Sequence, residues 1–311
     1  MSRGRRAGRF VLSLGGVVVA SFAMLHLIPG DPVRAALGPT APREAVERRR
    51  AELGLDRPLL DQFLAYVGGV FRGDLGESFL SRRPAAEIVA DRLPATVQLV
   101  VATMLLALAV AVPLGMWVAA RTENGRGRRT DLAFTTTTGA LSVIPEFLLA
   151  VGMVAVLGVT LGWLPVAGKD GAASFVMPVL ALAAGPTALL ARLVRVETLR
   201  ELGSDYVRLA RAKRLPTHRV YFRHLLPNTL TATLTTGGLL LCSLLGGSVV
   251  IEYVFQWPGL GGATVDAIVN KDYALAQAAV LVYGTVSLTV LLAVDVALGL
   301  LDPRSALRSR G

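Results

Sequence analysis

The sequence predicts an all-α integral membrane protein with six transmembrane helices. Of the 311 residues, 53% are hydrophobic and only 17% are charged, and the mean hydropathy of +0.56 lies above that of soluble domains. The hydrophobic residues also come in long blocks, each close to the ~20 residues that a helix needs to cross a bilayer core of about 30 Å. Composition and block length together exclude a soluble globular fold.

Six such blocks follow one another along the chain, and each predicts one bilayer crossing. Four of them contain no charged residue, the third carries Glu146, and the fourth carries Arg192 near its end. The blocks comprise residues 10–28, 96–120, 132–160, 176–194, 229–251 and 274–294.

The first block has two interpretations. Basic residues precede it, as in a cleavable signal peptide: Arg3, Arg5, Arg6 and Arg9. However, its 19 apolar residues exceed the usual core of such a peptide, about 7–15 residues, and no small-x-small cleavage pattern follows. We therefore expect a retained first span.

The loop charges predict which side of the membrane each loop faces. Alternate connections carry 4, 4, 9 and 3 Lys and Arg residues in segments 1–9, 121–131, 192–228 and 302–311. The short loops 161–175 and 252–273 carry one each. Because basic loops stay in the cytoplasm, we expect a multi-pass protein of the cell (inner or plasma) membrane with both termini cytoplasmic.

No sequence pattern for catalysis is present. The chain lacks a G-x-x-x-x-G-K-[ST] phosphate loop, a G-x-S-x-G elbow and an H-E-x-x-H zinc motif, and its single cysteine, Cys242, lies inside an apolar block. The net charge of +10 is distributed between apolar blocks rather than over one face, which argues against a nucleic-acid partner. We expect no catalytic residue, no metal site and no cofactor, and a surface in contact with membrane lipid.

The longest basic loop, between the fourth and fifth blocks, has an ordered pattern. Asp205 is predicted to cap a short helix that runs through Lys213, and Leu215-Pro216 breaks it. Thr217 is predicted to cap a second short helix. Two short basic helices at right angles would form a knob able to enter a groove in a partner protein.

This loop resembles the ATPase-coupling motif of ABC-importer permeases. Leu226-Pro227 match the end of the motif in register, which aligns residues 208–210 with its start and Arg214 with its glycine. Further motifs, in order along nearly the whole chain, resemble the dipeptide, oligopeptide and nickel permease group: Ile28-Pro-Gly-Asp-Pro-Val33, Leu53-Gly-Leu-Asp-Arg-Pro58, Gly73-Asp-Leu-Gly76, Arg92-Leu-Pro-Ala-Thr96, Gly162-Trp-Leu-Pro165, Glu252-Tyr-Val-Phe-Gln-Trp-Pro-Gly-Leu-Gly261, Asp272-Tyr273 and Leu301-Asp-Pro-Arg304.

The resemblance implies a type I ABC-importer permease that forms half of a translocation path for peptides or a related small solute. It implies a homologous permease as partner, two ATPase subunits that hydrolyse ATP, and an extracytoplasmic substrate-binding protein. It divides the chain into a first helix with an extracytoplasmic segment (1–93), a permease domain (94–304) and a cytoplasmic tail (305–311).

We call residues 205–228 the coupling loop. The resemblance assigns ATPase contact to these of its residues: Asp205, Tyr206, Arg208, Ala210, Arg211, Ala212, Lys213, Arg214, Leu226 and Pro227. The sequence departs from the family pattern at Arg214, where a glycine would adopt a left-handed turn at little cost. An arginine in that conformation costs roughly 1–2 kcal/mol, so the turn is either strained or reshaped.

Two further places are candidates for the substrate path or gate. Glu146 is an ionisable residue inside a span, which makes it a candidate for the substrate path. The other interpretation is a buried carboxylate satisfied by Ser142 or by carbonyls that Pro145 frees. Trp257-Pro258-Gly259 are either an interfacial aromatic anchor or part of an outer gate. The alternative function is a stand-alone secondary transporter that uses Glu146 as its coupling-ion site.

Overall fold

The computed structural model describes residues 3–27, 32–38, 40–52 and 54–301. Within these ranges the regular structure is helical, apart from one isolated β-bridge between Glu77 and Pro84. Parts of three predicted motifs, at 28–31, 53 and 302–304, and the predicted tail 305–311 lie outside the described residues.

The first half of the chain forms one long helix, three short ones and a second long one. They are α1 (Arg3–Leu27), α2 (Pro32–Leu37), α3 (Arg43–Glu52), α4 (Leu59–Arg72) and α5 (Ala85–Thr122). A 3₁₀ turn, Glu123–Gly125, follows α5.

The second half alternates long helices with short ones. They are α6 (Arg128–Val143), α7 (Glu146–Met153), α8 (Val176–Leu202), α9 (Asp205–Ala212), α10 (Thr217–Arg219), α11 (Leu226–Val254), α12 (Leu260–Val269) and α13 (Tyr273–Leu301). Two π-helical segments extend this set, Val154–Thr160 after α7 and Val220–Leu225 before α11.

Among the described residues, four helices are long and apolar enough to cross a membrane: they lie within α5, α8, α11 and α13. The pair α6 and α7, with its π-helical extension, makes a fifth span when the two are counted together, and α1 contains a shorter apolar stretch, Gly8–Met24. This set is consistent with the six predicted spans.

The third block, predicted as one bilayer crossing, is divided into two helices. Its two helices are bent by 92° at Ile144 and Pro145, both of which have extended backbone conformations. The cause is Pro145, which has no N–H to donate and whose ring disfavours a helical conformation at the preceding residue.

One compact unit contains the described residues up to Val97 together with Gln256–Thr289. One core of this unit joins the start of α5 to α12 and the start of α13. The buried members are Ala85, Ile88, Val89, Leu260, Ala267, Leu275, Ala276, Ala278 and Ala279. Gly284 allows α1 to approach α13, because a Cβ there would lie 2.5 Å from Cγ1 of Val17.

The other compact unit contains Gln98–Phe255 and the described residues from Val290 onward. Helix α8 contacts α6, α7 and α11 in this unit. Gly115 of α5 packs directly on α8, since a Cβ there would lie 2.6 Å from the carbonyl oxygen of Ala191. This unit contains the coupling loop and Glu146.

Candidate coupling site and substrate path

The first helix of the coupling loop is α9. Asp205 is its first residue and not its cap, so the predicted capping role was wrong by one position. Ser204 occupies the N-cap position with an extended backbone, and its hydroxyl donates to the carbonyl oxygen of Glu201 at 2.6 Å instead of accepting from the helix. Asp205 pairs with Arg208 at 3.6 Å, and both side chains are exposed.

Arg214 keeps the left-handed turn that a glycine would favour, with φ of +54°. Its N–H donates to the carbonyl oxygen of Arg211 at 2.9 Å, and the N–H of Leu215 donates to that of Ala210 at 3.2 Å. These two bonds form the Schellman motif, the common C-terminal cap of a helix. The turn therefore has the geometry that a glycine would adopt, and the arginine in it is strained.

The second helix of the coupling loop is not a separate short helix. Thr217–Arg219 leads through the π-helical Val220–Leu225 directly into α11, so this part of the loop is the beginning of the fifth span. Leu226 and Pro227 stand where the π-helical pattern ends and the α-helical one begins. Pro227 has no N–H for the i−4 carbonyl, which favours a local change of helical register there. The side chain of Thr217 lies outside the described residues, so its predicted cap is not tested.

Ala210, which was expected on the outer surface of α9, lies in the core beneath this helix. Ala210 is only 7% exposed and packs with Val207 and Leu225 against the ends of α5 and α8. The prediction that Ala210 contacts the ATPase groove is therefore not supported by its position, since its methyl group points into the chain. The exposed residues of α9 include Leu209 and Ala212.

Arg211 ties α9 to the turn after α5. Its Nη1 and Nη2 donate to the two carboxylate oxygens of Glu123 at 2.8 and 3.1 Å. This hydrogen bonding raises the pKa of the Arg211 guanidinium above its ordinary value. Because this bidentate pair occupies Arg211 within the chain, Arg208 of α9 and Lys213 directly after it are the exposed basic side chains left to face a partner.

Tyr206 joins the ends of three helices. Its hydroxyl donates to Oε2 of Glu201 at 2.6 Å and accepts from Nδ2 of Asn228 at 3.1 Å. Burial, followed by the bond to Glu201, raises the pKa of the Tyr206 hydroxyl, so this group stays protonated and can donate. Helix α9 is therefore held to the last turn of α8, the first turn of α11 and the turn after α5.

Glu146 is the first residue of α7, directly after the bend. A Cβ on Gly247 of α11 would lie 3.2 Å from its Oε1, so the carboxylate rests against the backbone of that helix. Within the described part of the chain, this carboxylate has no hydrogen-bond or ion-pair partner. The predicted partner, Ser142, donates instead to the carbonyl oxygen of Thr138 and accepts from Arg192, both at 2.7 Å.

Trp257 is not an interfacial anchor. It is 2% exposed, and its Nε1 donates to the carbonyl oxygen of Ala95 at 3.0 Å. The N–H of Leu260 donates to Oγ1 of Thr96 at 2.9 Å, and the N–H of Gly259 donates to the carbonyl oxygen of Trp257 at 2.7 Å. A ring buried in this way holds its loop to α5 and cannot insert among lipid head groups.

The acidic partners of the coupling loop were not predicted from the sequence. Glu123 is one of two acidic residues among four arginines in segment 121–131, which was the available signal for an ion pair with a nearby loop. Glu201 gave no signal, because its contact with Tyr206 depends on how α8 and α9 meet.

Two family profiles cover most of the chain. The profile described as "Binding-protein-dependent transport system inner membrane component" matches residues 111–306. The profile described as "Binding-prot-dependent transport system membrane comp, N-term" matches residues 4–100.

The chain is similar in sequence to curated permeases and, at lower identity, similar in fold to solved structures of an ABC transporter. The glutathione transport system permease proteins GsiC of Escherichia coli O6:H1 and Shigella flexneri serotype 5b are 38% and 37% identical over 288 residues, or 92% of each chain. Two crystal forms of the inward-facing MetNI methionine ABC transporter give TM-scores of 0.55 and 0.58 at 18% identity, and the match covers 69% of this chain and 96% of that chain. At this low identity the structural match concerns the fold.

Proposed function

Because the chain belongs to the family of binding-protein-dependent transport system inner membrane components, we propose that its coupling loop is the docking site of a separate ATPase subunit. The chain is a multi-pass inner-membrane permease subunit of an ABC importer of the peptide group, and it is not itself catalytic. Nothing supports the alternative of a stand-alone secondary transporter.

The docking proposal rests on the two faces of α9, one of which is packed against the chain while the other is exposed. One face of the helix is fixed through Val207 and Ala210, while Leu209 and Ala212 remain exposed. An exposed apolar residue flanked by basic side chains suits a groove with an apolar floor and acidic walls. Movement of an ATPase bound here would act on α8, α11 and the turn after α5 together, because α9 is bonded to all three.

The translocation path is formed with a second, homologous permease as a heterodimer, and two ATPase subunits and an extracytoplasmic binding protein complete the importer. ATP is hydrolysed in the ATPase subunits. The curated relatives are named for glutathione, a tripeptide, which supports a small peptide as the substrate. Residues 1–93 form the first span and extracytoplasmic segment, 94–304 the permease domain and 305–311 the tail.

Glu146 lines the path and binds the cationic amino group of the peptide. Its carboxylate has no partner among the described residues and stands at a break in the helix, where backbone groups are also freed. Partly buried charges of this kind mark substrate pathways in membrane proteins. The loop of Trp257, Pro258 and Gly259 forms part of the outer gate, with Trp257 fixing the loop and not lining the path.

Replacement of Ala212 by Trp tests the docking proposal. The larger side chain should overfill the partner groove, so co-purification of the ATPase and substrate-stimulated ATP hydrolysis should both fall sharply. Ala120→Trp is the matched control, since Ala120 is also exposed but lies outside the coupling loop. If Ala212→Trp assembles and couples as well as the control, α9 is not the contact.

A further inference from the structure

A half-open groove runs along the outside of the second compact unit, between α5, α6 and α8. Its volume is about 580 Å³, which lies in the range of small-molecule sites. The lining is mostly apolar and includes Leu114, Trp117, Phe134 and Leu141. The hydroxyl of Thr138 donates to the carbonyl oxygen of Phe134 at 2.7 Å, so this lining residue offers no free donor to the groove.

The end of the groove near segment 121–131 is positively charged. Arg129 lines the groove, and its exposed guanidinium has no ion pair or hydrogen bond with any residue that the structure describes. The guanidinium carbon of Arg121 lies 5.1 Å from the ring centroid of Trp117. The acidic group nearby, Asp131, already pairs with Arg195 at 2.6 Å. The net charge at this end therefore favours an anion.

We propose that this groove binds one anionic phospholipid, with an acyl chain between α5 and α6 and the phosphate on Arg129. The groove is formed by helices of three predicted spans, and inside a bilayer an apolar wall alone does not prefer one lipid to another, because lipid tails are as apolar as the side chains. Selectivity must therefore come from the charged end. An arginine near the head group favours an anionic lipid by about fivefold, or ~1 kcal/mol.

Charge complementarity favours this occupant over a transmembrane helix of the partner permease. A guanidinium forms paired hydrogen bonds with phosphate oxygens, while an apolar helix would leave Arg129 without a partner at the membrane edge. Trp117 stands at the same end as Arg121, as aromatic residues do at the level of lipid head groups.

The test uses the full permease complex, reconstituted with equal amounts of phosphatidylglycerol and phosphatidylcholine, and counts retained lipids by native mass spectrometry. Arg129→Gln should lower the preference for phosphatidylglycerol by about fivefold. Arg128→Gln is the matched control, because this exposed neighbour does not line the groove and should leave the preference unchanged. Ala133→Trp, which fills the groove, should remove the retained lipid whatever its head group.

Two outcomes would overturn the proposal. Equal effects of Arg129→Gln and Arg128→Gln would mean that the preference reflects general surface charge. Efficient cross-linking of a cysteine at Leu114 to the partner permease, with no lipid retained, would mean that a protein helix fills the groove.

Discussion

Arg214 occupies a conformation that costs an arginine free energy and a glycine very little. With φ of +54°, it forms the left-handed cap of α9, whose two backbone bonds are intact. The turn is the one that a glycine would adopt at little cost, although the residue is an arginine. The strain is local and does not depend on an ATPase partner.

Replacing Arg214 by Gly should therefore stabilise the chain by about 1 kcal/mol, because the left-handed cost disappears while glycine adds some entropy to the unfolded state. Thermal unfolding in detergent should shift upward by a few degrees, with coupling to ATP hydrolysis intact. Lys213→Gly is the control, since Lys213 has φ of −76° and a glycine there should destabilise. Lower stability of Arg214→Gly would show that the arginine side chain makes a contact worth more than the strain.

Glu146 and Gly247 form a second pair that can be tested at the level of single residues. Glu146→Gln should lower peptide uptake by roughly tenfold or more, since a hydrogen bond to a charged group contributes about 1.5–3 kcal/mol. Gly247→Ala should have a similar effect, because the added methyl group would stand 3.2 Å from Oε1 and displace the carboxylate. Gly246→Ala, with no atom within 4 Å of the new methyl group, should leave uptake unchanged. Normal uptake by both Glu146→Gln and Gly247→Ala would remove Glu146 from the path.

At the scale of elements, α9 is attached to the spans by polar bonds as well as by its core. The Arg211–Glu123 pair is partly exposed, with 47% and 23% of the side chains accessible. Its contribution to stability is therefore small, about 0.5–1 kcal/mol. Its value lies in fixing the position of α9 relative to the turn after α5.

Breaking this pair should affect coupling more than folding. Glu123→Gln and Arg211→Gln should each leave the complex assembled but raise the number of ATP molecules hydrolysed per peptide transported. The exchanged pair, Glu123→Arg with Arg211→Glu, should recover part of the coupling, and a double-mutant cycle measures the interaction. If both single variants couple normally, the pair has no part in transmission.

The beginning of α11 shows how a coupling element and a span can be one structure. The π-helical Val220–Leu225 continues directly into the fifth span, so within the coupling loop only the turn from Lys213 to Pro216 separates α9 from that span. The sequence predicted two separate short helices because Leu215-Pro216 suggested a break. Pro216 lies directly before the second helix and its carbonyl oxygen accepts from the N–H groups of Arg219 and Val220, whereas Pro227 lies in continuous helix where the helical register changes.

At the scale of the whole molecule, the loop charges predict that both termini are cytoplasmic. In a chain lacking Cys242, a cysteine at Arg126 should react with membrane-impermeant maleimide only after the cells are opened, whereas one at Asp170 should react in intact spheroplasts. Both positions are exposed, so access and not burial decides the result. Labelling of position 126 in intact spheroplasts would reverse the orientation.

Much of the fold could be predicted from the sequence, because a hydrophobic block long enough to cross a bilayer has few stable structures other than a transmembrane helix. The coupling loop could be located for a similar reason, through the spacing that ends at Leu226-Pro227. The burial of Ala210 and Trp257 could not, since small and aromatic residues occur on either face and only packing decides. The 92° bend was underestimated because a proline in a span often only kinks the helix.

The bend at Pro145 has a consequence for biosynthesis. At 1.5 Å per residue, the 16 residues of α6 and the 15 of Glu146–Thr160 each measure roughly 22–24 Å, less than the ~30 Å of a bilayer core. Neither helix is therefore a good insertion signal for the translocon. The ribosome must carry synthesis well into α8 before this region has a neighbour to pack against. In truncated chains that end at residue 160, a cysteine at Val143 should therefore react with a water-soluble maleimide, whereas in chains that extend past residue 202 it should be protected.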